Sequence, residues 1–305
     1  MVKHSVLSEY VRFGPLLLIG GREDRTKRSH ILKEFVHLSG GDEGHIVIVT
    51  TASEHAAEVG QEYVEVFQRL TSKEGKNEAA KICTLDIQCR EAANNDEAVA
   101  VIENASGVFF TGGDQYRITS VLGGTKVDVT LHRRHESGLV LAGTSAGASM
   151  MSSTMIIEGS NDSTMRLGMV KLGPGLEFMP GAIIDQHFAE RGRIHRLLSA
   201  VAQYPHHLGI GIDEDTAIIS QGHQLTVIGS GAVTIVDAGE ASAADLSNVK
   251  HGDIFALTNV KLHILPADSG FDMLRRQPLI NQENGFADAA MGIDYSKNLP
   301  GEERL

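Results

Sequence analysis

The sequence predicts an α/β fold with a mostly parallel sheet, helices on both faces of that sheet, and an antiparallel β extension. Between residues 15 and 143, short apolar runs alternate with amphipathic stretches of helical spacing. From residue 216 to about residue 265, β-rich runs follow one another with only turn residues between them. With 305 residues, 42% of them apolar, the chain can build one large core or two small ones.

The first part of the chain contains strand–helix pairs. Leu16–Ile19 is an apolar run that ends at Gly20 and Gly21, and residues 27–38 form an amphipathic stretch with a helical period. Further strands are predicted at 45–50, 81–87 and 107–111, and further helices at 59–70 and 97–103. Strands separated by helices predict a parallel sheet with crossover connections.

The second part of the chain changes to consecutive strands. Runs at 182–188 and 208–212 are predicted to be buried strands that end in polar residues. The β-rich runs that follow, at 217–219, 225–228, 233–236 and 260–265, are predicted to extend the same sheet as an antiparallel meander. We therefore predict one domain over residues 15–266, with an N-terminal extension over 1–14. The polar tail over 267–305 is interpreted as mobile or wrapped over a partner subunit.

The most informative motif is G-x-S-x-G at Gly143–Gly147. It follows the apolar run 139–142 and precedes a segment of small residues, so a strand, a tight turn and a helix are predicted in that order. Such a turn exposes the hydroxyl of Ser145 and directs the amide of Ala146 at a developing oxyanion. A five-residue pattern of this form also occurs by chance in loops rich in Gly and Ser. The predicted strand before it and helix after it favour a nucleophile.

A serine nucleophile needs a base, and the chain has 14 histidines. His187 is the best placed, because it follows a predicted buried strand, where open α/β sheets collect their ligands. The next strand ends in Asp213, Glu214 and Asp215, and one of these acids is a candidate to orient the imidazole. Taken alone, the same residues also fit a strand-end histidine and a solvated acidic turn.

Two further clusters are candidates for the same site. Gly112 and Gly113 follow a predicted strand, as a strand-to-helix turn requires, and the Gly113 amide is a candidate second oxyanion donor. Arg191, Arg193 and Arg196 begin a predicted helix. Arginine forks can grip carboxylates bidentately, although a helix start with solvated arginines fits equally well.

Four spaced motifs carry a family resemblance: Phe109–Gln115, Gly143–Ala148, Asp185–Arg193 and Gly211–Ala217. Together they resemble the cyanophycinase family of serine peptidases, which is related to the aspartyl dipeptidases, from about Pro15 to about Pro266. The resemblance implies a flavodoxin-like fold of the glutamine-amidotransferase type. It also implies a triad of Ser145, His187 and Glu214.

The implied reaction is hydrolysis of cyanophycin, a polyaspartate with arginine on each β-carboxyl, to β-Asp-Arg dipeptides. The resemblance places Gln115, Asp185 and Gln186 in the substrate pocket and favours carboxylate binding by the three arginines. It also implies a homodimer. Two alternatives remain open: an α-aspartyl dipeptidase, and a non-catalytic carboxylate-binding protein of the same fold.

Composition excludes several other partners. The net charge of −12 argues against nucleic acid, because phosphate binding needs a basic face. No apolar run approaches the roughly 20 residues of a membrane span. Residues 1–14 are charged and lack a long apolar region, so no secretory signal is predicted and a cytoplasmic location is expected. Cys83 and Cys89 suit a reduced compartment as free thiols, with a disulfide between them as the alternative.

No cofactor or metal is predicted. The glycines after the first strand lack both a G-x-G-x-x-G pattern and a P-loop lysine, which argues against a nucleotide site. No H-E-x-x-H motif is present, and His206 and His207 have no clear set of carboxylates nearby in the sequence.

Overall fold

A computed structural model of the chain describes residues 13–71, 80–243 and 246–279, and it confirms the predicted α/β class. The strands of these residues are, in chain order, β1 (Leu16–Ile19), β2 (His45–Val49), β3 (Lys81–Leu85), β4 (Gly107–Phe110), β5 (Val140–Thr144), β6 (Thr154–Gly159), β7 (Val170–Pro174), β8 (Ala182–Gln186), β9 (Leu208–Ile212), β10 (Thr216–Gln221), β11 (Gln224–Gly229), β12 (Ala232–Asp237), β13 (Ser242–Ala243), β14 (Leu257–Thr258), β15 (Lys261–Pro266), β16 (Gly270–Asp272) and β17 (Gln277–Leu279). Their α-helices are α1 (His30–Leu38), α2 (Ala56–Thr71), α3 (Arg90–Ala93), α4 (Asp96–Glu103), α5 (Gln115–Leu122), α6 (Lys126–His135), α7 (Ala146–Ser149) and α8 (Ile194–Gln203).

The central sheet has the strand order β17-β16-β11-β10-β1-β5-β4-β2-β3. Strands β1, β5, β4, β2 and β3 are parallel, as strands joined by crossover helices must be. Strand β10 then pairs antiparallel with β1 and begins the antiparallel half of the sheet. The carboxyl ends of the parallel strands therefore lie along one edge, where ligands of such sheets bind.

Helices cover both faces of the central sheet. Alternate residues of β1 face opposite sides, so Leu17 and Ile19 pack in one apolar cluster while Leu16 and Leu18 pack in another. Helices α1 and α2 supply the first cluster with aromatic residues, among them Phe35. Helices α4, α5 and α6 cover the other face with Ile, Leu and Val side chains. The resulting three-layer arrangement buries β1, β2, β4 and β5 on both sides, whereas the edge strand β3 is partly exposed.

The predicted antiparallel meander is divided between two sheets. Strands β10 and β11 extend the central sheet, as predicted, but β12 and β15 join β9 and β8 in a separate sheet of order β15-β12-β9-β8. One cause is local, because the Asp213 carboxylate after β9 accepts the Ala232 amide at 3.1 Å. That bond holds the start of β12 beside the end of β9. The prediction of one continuous sheet is therefore wrong for these two strands.

The central sheet continues past the predicted domain boundary at residue 266. Strand β16 pairs with β11, and β17 pairs with β16, so part of the predicted tail belongs to the sheet. Residues 1–12 and 280–305, which make up most of the predicted extension and tail, lie outside the described residues. None of the helices placed by the structure is long and apolar enough to cross a bilayer.

The loop after β1 is ordered by one carboxylate. Asp24 accepts hydrogen bonds from the amides of Thr26, Lys27, Arg28 and Ser29, and these bonds hold its pKa well below the usual value. The amides that would begin a helix at residue 27 are thus bound in a turn. Helix α1 accordingly begins at His30, three residues later than predicted.

Candidate functional site

The candidate site lies where the carboxyl ends of β1, β5, β8 and β9 meet. The loop after β1 is its centre. The carbonyl of Ile19, the last residue of β1, accepts the amide of Ser145 at 3.0 Å. The carbonyl of Gly20 accepts the amide of His187 at 2.8 Å, and that of Gly21 accepts the amide of Asp215 at 2.9 Å. Three segments that are distant in sequence are thereby held by one short stretch of backbone.

Several residues at this junction have a left-handed backbone. Ser145 has φ 53°, His187 has φ 47°, Asp215 has φ 48° and Arg22 has φ 49°. Residues with a Cβ rarely adopt this region, and they persist there only when the surrounding structure imposes it. The turn at Ser145 is the strained strand-to-helix turn that a G-x-S-x-G motif requires, because it lies directly between β5 and α7.

Ser145, His187 and Glu214 form a continuous chain of hydrogen bonds. Oγ of Ser145 lies 3.0 Å from Nε2 of His187, and Nδ1 of His187 lies 2.7 Å from Oε1 of Glu214. With the proton on Nδ1 donated to the carboxylate, Nε2 is free to accept the proton of the hydroxyl. Both distances fall within the reach that an activated nucleophile and its base require.

The acid that contacts His187 is the middle one of three. Asp213 is used by the backbone, since it accepts the Ala189 amide at 3.0 Å as well as the start of β12. Asp215 accepts the amide of Asp24 at 2.8 Å. Glu214 and Asp215 form the turn between β9 and β10, and of the three acids it is Glu214 whose carboxylate contacts the imidazole. Its second oxygen accepts Nη1 of Arg22 at 3.3 Å.

The environment of His187 favours its neutral form. Burial lowers the pKa of the imidazole, the hydrogen bond and charge of Glu214 oppose that shift, and the nearby positive charges of Arg191 and Arg193 lower the pKa further. The net direction is below the ordinary value of 6.5. At neutral pH the imidazole is therefore uncharged and able to act as a base.

The two candidate oxyanion donors lie beside the serine. Ala146 is buried and begins helix α7, where an amide has no partner within the helix. A Cβ on Gly112 would lie 3.5 Å from that of Ser145, so the turn after β4 is adjacent to the nucleophile. Gly113 has φ 144°, and a Cβ there would come within 2.0 Å of the Ala52 carbonyl oxygen. Only glycine fits at this position.

Gly21 also needs to be glycine. Its φ is 105°, and a Cβ would lie 2.3 Å from Cε1 of His187. The imidazole therefore packs directly against bare backbone. In the sequence, the two glycines after the first strand indicate that another group approaches the backbone closely, but they do not show that this group is His187.

The remaining polar residues predicted for the pocket have different degrees of access. Arg191 is exposed, and its amide donates to the His187 carbonyl at 3.2 Å. Gln115 is half-buried, and its amide nitrogen donates to the carbonyls of Ile156 at 3.0 Å and Ile157 at 2.7 Å. Gln186 is buried, and its side-chain oxygen accepts Nη1 of Arg193 at 3.2 Å.

Arg196 and Asp185 are bound to each other rather than open to a ligand. Asp185 is fully buried and Arg196 is 5% exposed. The guanidinium of Arg196 grips the carboxylate with Nε 2.7 Å from Oδ2 and with Nη2 on Oδ1. Arg193 is 7% exposed and contacts the same carboxylate at 3.3 Å. In place of the predicted substrate contact, Asp185 and Arg196 form a buried support beneath the strand end that carries His187.

Two polar contacts of the triad were not anticipated from the sequence. Besides Arg22 on the Glu214 carboxylate, Glu190 accepts the amide of Glu214 at 3.2 Å. Nothing in the local pattern distinguished these residues from other exposed charges. Within the ranges that the structure covers, no group of three or more His, Cys, Asp or Glu side chains is arranged to hold a metal ion.

The fold and this arrangement of a strained serine, a neutral histidine and an acid define a serine-type peptidase. The chain belongs to peptidase family S51, whose sequence profile it matches over residues 16–228. It is 39% identical over 266 residues to a cyanophycinase of Nostoc sp. (strain PCC 7120), and the aligned region covers 87% of each chain. It is 36% identical to a cyanophycinase of Geminocystis herdmanii, and that aligned region covers 90% of this chain and 98% of the relative.

A solved structure supports the fold independently. The chain superposes on a peptidase from an acI-B1 Actinobacterium with a TM-score of 0.60, and the superposed region covers 86% of this chain and 97% of the other. The sequences of the two proteins are 20% identical, so this likeness concerns the fold alone.

Proposed function

We propose that the protein is a serine exopeptidase that hydrolyses cyanophycin and releases β-Asp-Arg dipeptides. The observation that carries the proposal is the hydrogen-bonded chain from Ser145 through His187 to Glu214. The substrate is inferred from the relatives, which are named cyanophycinases and are similar over most of the chain.

The proposed reaction runs in two halves. Ser145 Oγ attacks the carbonyl carbon of the peptide bond while His187 Nε2 takes its proton, and a C–O bond forms. Collapse of the tetrahedral intermediate breaks the C–N bond, and His187 returns the proton to the leaving amine. Water, deprotonated by the same imidazole, then hydrolyses the acyl-enzyme and restores the serine. The Glu214 carboxylate stabilises the imidazolium formed in each half.

The amides of Gly113 and Ala146 are proposed to bind the oxyanion. Ala146 directly follows the nucleophile, and Gly113 follows Gly112, which lies next to Ser145. Preorganised donors of this kind contribute about 100- to 1000-fold in rate each. The fixed geometry matters because donors that must first reorganise lose that advantage.

Arg191, Gln115 and Gln186 are the proposed substrate contacts. Arg191 is the exposed arginine of the cluster, and its charge acts on the imidazole of His187, so it is the arginine proposed to bind a substrate carboxylate. Both glutamines are positioned by hydrogen bonds from one end of their side chains. Arg193, Arg196 and Asp185 are assigned instead to supporting the strand end beneath the site.

Incubation with insoluble cyanophycin tests the proposal. The wild-type protein should release soluble dipeptide with the mass of β-Asp-Arg, and Ser145→Ala should release none. Release of free arginine alone, or no soluble product, would contradict it. Hydrolysis of α-aspartyl dipeptides without attack on the polymer would assign the α-aspartyl dipeptidase activity, and failure to react with a fluorophosphonate would favour a non-catalytic role.

We further propose a homodimer located in the cytoplasm. The dimer rests on the family resemblance alone. The cytoplasmic location is supported by Cys83 and Cys89, which are unpaired thiols and suit a reducing compartment. Light scattering at micromolar concentration should give twice the mass of the chain, and cell fractionation should place the protein with cytoplasmic markers. A monomer mass or recovery in an extracellular fraction would contradict these assignments.

A further inference from the structure

A carboxylate with no role in the reaction is buried beside the nucleophile. The side chain of Glu23, on the loop after β1, has no solvent exposure. Its Oε2 accepts the hydroxyl of Thr144 at 2.7 Å, and its Oε1 accepts the hydroxyl of Tyr63. Nε of Arg25 lies 3.5 Å from the same Oε1. Both carboxylate oxygens are therefore occupied by fixed donors.

Thr144 is the last residue of β5 and directly precedes Ser145. It is 3% exposed, so its hydroxyl has no access to bulk water and depends on Glu23 for a hydrogen-bond acceptor. Because the next residue has a strained left-handed backbone, the orientation of Thr144 fixes where the turn begins. A shift of Thr144 would move the serine hydroxyl relative to the imidazole.

The loop that carries Glu23 is itself fixed at both ends. Arg25 stacks over the ring of Tyr63 at 4.6 Å and pairs with Glu62 at 2.6 Å, which attaches the loop to helix α2. On the other side of Glu23, Arg22 reaches the Glu214 carboxylate. Residues 22–25 thus contact both the strand end that carries the nucleophile and the acid that orients the base.

Burying a charge is costly, and replacing a buried ion pair by apolar side chains of similar volume is often neutral or stabilising in proteins. A buried carboxylate whose oxygens are both hydrogen-bonded does, however, fix the orientation of its donor groups, and apolar packing does not do this. One hydrogen bond of Glu23 goes to Thr144, at the strand end whose orientation the proposed reaction needs, and the other goes to Tyr63 on α2.

We propose that Glu23 is a positioning residue, which holds Thr144 and so sets the Ser145 hydroxyl in line with His187. This inference rests on the proposed role of Ser145 as the nucleophile. Loss of the contact should reduce the rate of attack on the substrate, because a misplaced nucleophile loses near-attack geometry. Substrate binding should be little affected, because neither Glu23 nor Thr144 reaches the exposed face of the site.

Two substitutions of Thr144 test the proposal. Thr144→Val keeps the shape but removes the hydroxyl, whereas Thr144→Ser keeps the hydroxyl. We expect Thr144→Val to lower kcat at least about tenfold with KM unchanged, and to slow acylation by a fluorophosphonate by a similar factor. Thr144→Ser should stay within about threefold of wild type in both assays. Thr71→Val is the matched control, because it removes a buried threonine hydroxyl whose hydrogen bonds, among the described residues, stay within α2.

The outcomes separate the possible failures. If Thr144→Ser is impaired as much as Thr144→Val, or if Thr144→Val raises KM and leaves kcat unchanged, the positioning role is overturned. Should Thr144→Val not fold, Thr144→Ala replaces it, because Ala and Ser at this position differ only in the hydroxyl that Glu23 accepts. An unchanged kcat and acylation rate in Thr144→Ala would count equally against the role. If Ser145→Ala retains wild-type turnover, the proposed function itself fails. An inactive Ser145→Ala together with a fully active Thr144→Val overturns only the role of Glu23.

Discussion

Oε1 of Glu214 lies 2.7 Å from Nδ1 of His187, whereas the acids on either side of Glu214 bind backbone amides. Glu214→Gln should therefore lower kcat by several orders of magnitude, because an amide neither stabilises the imidazolium nor ensures the correct tautomer. Asp213→Asn and Asp215→Asn should act mainly on stability, because their carboxylates hold loops. Steady-state kinetics and thermal melts of the three variants check this. The assignment fails if Glu214→Gln is the mildest of the three in kcat.

Ser145→Ala should abolish turnover and leave the melting temperature almost unchanged. The hydroxyl bonds only to His187 among the residues that the structure describes, so its removal deletes the nucleophile and little packing. The residual rate should be that of the oxyanion hole and binding alone, several orders of magnitude down. Ser153→Ala is the control, because Ser153 bonds to a different histidine, His207, at 3.3 Å. A Ser145→Ala protein with most of its activity would contradict the triad.

Gly113→Ala should cost much more activity than Gly112→Ala. A Cβ at Gly113 would meet the Ala52 carbonyl oxygen at 2.0 Å in a left-handed backbone, whereas a Cβ at Gly112 would meet its nearest neighbour at an ordinary 3.5 Å. The turn must move in the first variant, and displacing one oxyanion donor lowers kcat about 100- to 1000-fold. Kinetics with the polymer and with a small ester distinguish the two variants. Equal effects would argue that the Gly113 amide is not a donor.

Arg196→Lys should destabilise the protein more than Arg191→Lys does. A lysine keeps the charge but loses the fork that grips the buried Asp185 carboxylate, and a lost hydrogen bond to a charged group costs about 1.5–3 kcal/mol. Arg191 is exposed and should contribute little to the free energy of unfolding. Urea denaturation measures both values. If Arg196→Lys instead leaves stability unchanged and weakens only kcat/KM, Arg196 reads the substrate after all.

The acid limb of the rate profile should lie below pH 6.5, because the pKa of His187 is lowered from that value and attack needs the neutral imidazole. Activity is then lost as pH falls through the lowered pKa. Arg191→Gln removes a positive charge that disfavours the imidazolium, so the limb should move to higher pH.

Acylation by a fluorophosphonate, measured against pH, checks this shift without involving a substrate carboxylate. Arg133→Gln is the control, since Arg133 pairs with Glu103 and is not among the groups that shift the pKa of His187. A limb that stays in place in Arg191→Gln, or that moves equally in both variants, would contradict the electrostatic explanation.

Local sequence patterns predicted much of the fold and the strand-end positions of the candidate site. The apolar runs of β1, β2, β4 and β9 and the amphipathic α4 agree with the structure to within a residue or two. Such elements are set by side-chain period and by glycine turns, which act over a few residues. For the same reason, the strand ends before Ser145, His187 and Glu214 were visible. The local pattern left the three acids 213–215 open, and the choice of Glu214 came from the family resemblance.

The partners of the buried polar groups and the sheet to which each late strand belongs were decided only by the tertiary structure. Thr144 and Glu23 are 121 residues apart in sequence and Glu214 is 192 residues from Arg22, so no local period connects either pair. Arg196 was predicted to bind a substrate carboxylate, with a solvated helix start as the alternative, because its buried partner, Asp185, lies on another element. Hydrogen-bond partners and strand neighbours follow from which surfaces come into contact on folding, and that is a property of the whole packed chain.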